Sequence, residues 1–158
     1  MMANQKRTWR DKLFAKAGLP KVEPITEKMS KKWGRGTMVT PAPAEVDEIM
    51  WMVPQGKLIT IGRIQEMIAR KHEADVACPV MIGMSAWIAA HAAADDEAEG
   101  RNKVTPYWRT LKTDGELNPK YPGGIEGQKA KLEAEGHLVV RKGNKHIVHD
   151  YEGALVGR

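Results

Sequence analysis

"TIGRIQEMIARKHEADVACPVMIGMSAWIAAHA", residues 60–92, holds the pattern from which the fold is read. Thr60 stands directly before Ile61, Ile64 and Ile68, apolar residues at helical spacing, and its hydroxyl suits the N-cap position; the helix runs to about Arg70. Pro79 fits the first turn of a second helix, on which Val80, Gly83, Met84, Trp87, Ile88 and His91 share one face. Two apolar-faced helices separated by a connector of about eight residues are compatible with a helix-turn-helix unit.

Working toward the N-terminus, Val46, Ile49, Met50 and Val53 follow the same period and predict a helix that ends at Pro54-Gln55-Gly56. Before it, "LPKVEPITEKMSKKWGRGTMVTPAPAE" has four prolines, no sustained period and turn residues throughout, and reads as an extended linker. A short helix over 8–17 precedes that linker, with Thr8 and Asp11 as a capping box, Trp9 and Leu13 on one face, and Gly18 and Pro20 as its stop. Working toward the C-terminus, Gly123-Gly124 opens a helix through Ile125, Gln128, Lys129 and Leu132, closed by Gly136. "HLVVRKGNKHIVHDY" (137–151) then carries two β-branched runs around Gly143-Asn144, the signal of a hairpin with Lys142 and Lys145 at its tip. The expected fold is mainly α with a small β-hairpin: a winged helix-turn-helix-like domain over 43–158 behind a basic arm over 1–42. The hairpin reads either as a DNA-contacting wing or as an ordinary edge hairpin.

Charge is uneven. Residues 1–36 carry ten Lys or Arg against three acids, whereas the whole chain has a formal net charge of +5. Such a leader suits a polyanionic partner, since phosphates attract cations without regard to sequence, and Trp9 and Trp33 sit among its cations as candidates for base stacking. It reads equally as a solubilising tail. The single cysteine, Cys78, excludes an internal disulfide and a cysteine-based zinc site. Its place before a helix N-terminus favours a thiolate, but no His-Asp set surrounds it in sequence, so it is read as structural. The five histidines lack metal spacing, and no metal or cofactor is expected. No apolar run approaches the roughly 20 residues that span a bilayer, and the chain is expected to be cytoplasmic.

Three further segments carry a family resemblance. "VPQGKLITIGRI" (53–64), "TPYWRTLKTDGEL" (105–117) and "YPGGIEGQKAKLEAEG" (121–136) occur in the order of three signature segments of the alkylguanine-DNA alkyltransferase family, and together they resemble its C-terminal DNA-binding domain. That family's active motif is Pro-Cys-His-Arg, in which the cysteine thiolate accepts an alkyl group and the histidine helps activate it. Here the positions are Pro106, Tyr107, Trp108 and Arg109, so the acceptor is absent. A phenol with an ordinary pKa near 10 replaces it, and an indole cannot relay a proton as histidine does. The pattern is similar to the alkyltransferase-like subgroup, which binds alkylated DNA without repairing it.

The resemblance implies a catalytically inactive protein that senses alkylated guanine in double-stranded DNA and signals to a repair protein. The other reading is a winged-helix regulator or protein-interaction module that has lost lesion recognition. By resemblance, Tyr107, Trp108, Arg109, Tyr121, Gly123 and Gly124 wall a base pocket, with Tyr107 facing the pocket, Trp108 facing the core, and Arg109 held as a structural tie. Candidate DNA contacts are Thr60, Arg101, Lys103, Lys142 and Lys145. Ile61 occupies a position where the family has a tyrosine, and residues 72–100 contain six acids and no Lys or Arg. Trp87 reads either as a wedge in the base stack or as core.

Overall fold

The computed structural model describes residues 7–15 and 17–156. The expected helix at the N-terminus is α1 (Trp9–Phe14), shorter than 8–17: the Thr8–Asp11 capping box forms, and Ala15 already has extended backbone. The stretch read as an extended linker instead folds. It gives β1 (Lys21–Pro24), α2 (Glu27–Trp33), capped by the Thr26 hydroxyl, and β2 (Thr37–Thr40). β1 pairs antiparallel with β2, and β2 pairs in parallel with β4 (Val76–Ala77) just ahead of the long helix. Two buried residues, Met38 and Val39, supply the apolar anchor. Strands of four residues among prolines carry too little local period to be read, and α2 buries no residue at all.

The helices of the domain follow the sequence closely. They are α3 (Pro43–Trp51), α4 (Ile61–Lys71), α5 (Pro79–Ala98) and α6 (Gly124–Ala134). The Thr60 hydroxyl accepts a hydrogen bond from the Arg63 amide at 3.3 Å, which fixes the start of α4. β6 (Val139–Lys142) and β7 (Lys145–Val148) form the hairpin, with Lys142 opposite Lys145. β3 (Ile59–Thr60) pairs in parallel with β5 (Thr110–Leu111), tying the start of α4 to the segment that follows Tyr107-Trp108-Arg109. The architecture is mainly α with a small antiparallel β-hairpin, as expected. No helix among the described residues is long and apolar enough to cross a membrane.

The buried side of α5 differs from the expected one. Ile82, Ser85, Ala86, Ala89, Ala90 and Ala93 face the core, whereas Val80 and Met84 are 64% and 45% exposed. The cause is the near-uniform apolarity of this helix: its period does not select a face. The alanine side allows α1 and α3 to approach closely, so the alanines go in with Ile82 and Ile88 while Val80 and Met84 stay out.

Two cores result. The larger lies between α3, α4 and α5 and includes Val46, Met50, Ile64, Ile68, Tyr107 and Tyr121. The smaller, beneath α6 and the hairpin, holds Leu58, Leu111, Leu117, Leu132, Val139 and Val148. Trp108 packs against both.

Candidate nucleic-acid interface

Tyr107, Trp108 and Arg109 form one 3₁₀ turn, entered from Pro106 and leading straight into β5. This geometry differs from the extended loop expected here: Trp108 does pack toward the core, but Tyr107 is the more deeply buried of the two. An extended loop would send Tyr107 and Trp108 to opposite sides; a turn of three residues instead aims Tyr107 at the core and leaves Trp108 half-buried at its edge. The Tyr107 ring meets Trp108 edge to face at 5.3 Å and Tyr121 edge to face at 5.9 Å. Both tyrosines are buried. Burial pushes the Tyr107 hydroxyl above the ordinary tyrosine range, and Glu97 adds to the rise. Burial raises Tyr121 further still.

Arg109 is the structural tie expected of it. Its Nε donates to Glu135 Oε1 at 2.9 Å, Nη2 to Oε2 at 2.6 Å, and Nη1 to the Val53 carbonyl at 2.6 Å. Trp108 Nε1 donates to the same carboxylate at 2.9 Å. Burial alone would raise the Glu135 pKa, but the donors on Arg109 and Trp108 outweigh it and hold the group below the usual carboxylate range. Fully buried Gln128 closes the frame, donating to the Trp108 carbonyl and accepting from the Asn118 amide. Gly123 and Gly124 are backbone devices: both have positive φ, and a Cβ on Gly123 would lie 3.1 Å from the Gly127 Cα.

The proposed DNA contacts separate into two places. Lys145 lines a depression of about 420 Å³ with Ile61, Gly83 and Lys112. Gly83 and Lys112 also border a cleft of about 490 Å³ whose walls include Val80, Met84, Trp87 and Lys120. The outer side of the N-terminal half of α5 is therefore an apolar strip with Lys112, Lys120 and Lys145 around it. Arg101 and Lys103 lie elsewhere, on a cavity of about 190 Å³ that takes Ala89, Ala92, Ala93 and Asp96 from the other side of α5. Thr60 acts as the cap of α4, and Lys142 stands exposed across the hairpin from Lys145.

Sequence reasoning missed Lys112 and Lys120. Both sit in irregular chain, where no period relates them to α5, and only the turn at Asp114-Gly115 hinted that this segment doubles back. The acidic end of α5 is partly neutralised: Arg10 Nη1 lies 3.0 and 3.1 Å from the two Asp96 oxygens, and Lys131 lies 3.1 Å from Glu97. Cys78 is a half-buried free thiol at the N-cap of α5 and makes no side-chain capping hydrogen bond. Among the described residues, no cluster of His, Cys, Asp or Glu is arranged to hold a metal ion.

No family model matches the chain, and no curated protein does. Two solved structures are similar to it. One is S. pombe Atl1 in complex with damaged DNA containing O6-carboxymethylguanine, at 17% identity and a TM-score of 0.47, over 72% of this chain and 92% of that one. The other is S. pombe ATL in complex with DNA, at 17% identity and a TM-score of 0.44, with the same coverage.

Proposed function

We propose that this chain is a non-catalytic DNA-binding protein of the alkyltransferase-like kind, which senses alkylated guanine in duplex DNA inside the cell and passes the signal to a repair protein. The observation that carries the reading is the position of Tyr107. The three ordered segments over 53–64, 105–117 and 121–136 resemble an alkyltransferase DNA-binding domain, yet the acceptor position holds a buried phenol kept protonated by its surroundings. That position offers no thiolate to accept an alkyl group. DNA would meet the outer strip of α5, with Lys112, Lys120 and Lys145 on phosphates and Val80, Met84 and Trp87 toward the bases.

The aromatic filling favours one other reading, a winged-helix regulator without lesion preference, because Tyr107 and Tyr121 occupy the interior a flipped base would need. Fluorescence anisotropy separates the two. Duplexes with guanine or O6-alkylguanine at one position are titrated at two salt concentrations. Tighter binding of the modified duplex is the expected result. Equal, steeply salt-dependent binding would establish the regulator, and no binding at low salt would remove DNA from the account.

A further inference from the structure

The apolar strip on α5 is continued by the N-terminal helix. Trp9 of α1 stacks on His91 with ring centroids 4.5 Å apart and planes at 22°, and meets Trp87 edge-on at 4.6 Å. Lys12 Nζ lies 4.4 Å from the Trp9 ring centroid. On the other side, His91 Nε2 is 3.2 Å from the carbonyl oxygen of Lys120, a residue of the same cleft as Trp87. Lys12, Trp9, His91 and Lys120 thus form a row across the strip beyond Trp87. Leu13, buried in the main core, and the Arg10–Asp96 pair fasten α1 at two further points. The last turn of α5 and its C-cap carry four acids, Asp95, Asp96, Glu97 and Glu99, and no cation.

We propose that α1 is a built-in part of the DNA interface, in which Trp9 is a positioning residue that holds Lys12 as a phosphate contact beside the C-terminal half of α5. The inference rests on the DNA-binding reading above and adds to it. A cation on a loose tail steers DNA from a distance that salt screens; a cation held at the surface touches one phosphate and releases its counterion. The two cases differ in what happens when Trp9 is lost without any change of charge.

The experiment measures duplex binding by anisotropy over a range of salt for the full chain, Lys12→Gln, Trp9→Ala and Trp9→Phe, with a thermal melt of each. Deleting the leader would not serve, because it would also remove buried Leu13. The slope of log K against log salt is expected to become shallower by about 0.9 in Lys12→Gln, the loss of one phosphate contact. Trp9→Ala is expected to lose the same amount although it removes no charge, and Trp9→Phe, which still stacks, should retain the full slope. A Trp9→Ala variant that melts as the parent does and keeps the parent's slope would overturn the proposal, leaving the leader a loose cationic tail. So would a Lys12→Gln slope equal to the parent's, which also decides the matter should Trp9→Ala fail to fold. Failure of the unaltered chain to bind duplex at low salt would remove the DNA-binding reading and this proposal together; the other two results leave that reading in place.

Discussion

Trp108 and Arg109 share one acceptor: the indole Nε1 and the guanidinium both donate to the Glu135 carboxylate, whose side chain is 8% exposed. Adjacent residues of one 3₁₀ turn therefore fasten that turn to the end of α6, and the Val53 carbonyl on Arg109 fastens it to the end of α3. With the turn pinned on both sides, Tyr107 is left pointing into the core.

Tyr107→Ala is accordingly expected to cost about 3 to 5 kcal/mol, the usual loss for truncating a buried aromatic. Trp108→Ala removes a half-buried ring and one of several donors to Glu135, and should cost less. Chemical denaturation of the two variants checks the order; a larger loss in Trp108→Ala would mean that the tie outweighs the core packing.

The Glu135 carboxyl sits below its ordinary value of 4.5 in the folded protein. The sign for stability follows from linkage: a depressed carboxylate stabilises the fold above the unfolded value and loses that contribution as pH falls through the lower folded value. The difference in unfolding free energy between the parent and Glu135→Gln should be constant near neutrality and shrink on acidification below about pH 4.5. Melts from pH 7 to pH 3 would show it, and a difference independent of pH would detach this carboxylate from the acid response.

Arg109→Ala strands a buried carboxylate and should destabilise by about 3 to 5 kcal/mol, as removal of one partner of a buried pair does. Arg109→Lys is expected to recover only part, because an ammonium cannot hold both oxygens and the Val53 carbonyl in one plane. A full recovery in Arg109→Lys would show that charge alone matters at this site.

Alkyl transfer is expected to be absent. The Tyr107 phenol is buried and its pKa lies above the ordinary 10.0, so at neutral pH it presents no phenolate to an alkylated base. After prolonged incubation with O6-methylguanine duplex, intact-mass measurement should return the unmodified chain. A stoichiometric gain of one methyl group on Tyr107 or Cys78 would reverse this assignment.

Lys112→Gln and Lys145→Gln should each make the salt dependence of duplex binding shallower by about 0.9, with melting temperatures near the parent's because both side chains are exposed. Arg101→Gln and Lys103→Gln, on the other side of α5, should leave the slope unchanged. The reverse pattern would move the DNA to the other face of the helix.

Local chemistry in the sequence determined where most elements of the domain begin and end. Thr60 supplies an N-cap oxygen, Pro79 a first-turn φ, Gly123 a left-handed residue before α6, and Gly143-Asn144 a two-residue turn, each within a few residues of its effect. Contacts between distant segments decided the rest. The parallel pairing of β2 with β4 joins residues almost forty positions apart and turned an apparent linker into a sheet. On α5, apolar in nearly every direction, only the arrival of α1 and α3 selected the alanine side as the buried one. Lys112 and Lys120 joined the α5 strip, and Tyr107 turned inward, because chain closure and the Glu135 tie placed them; neither leaves a periodic trace along the sequence.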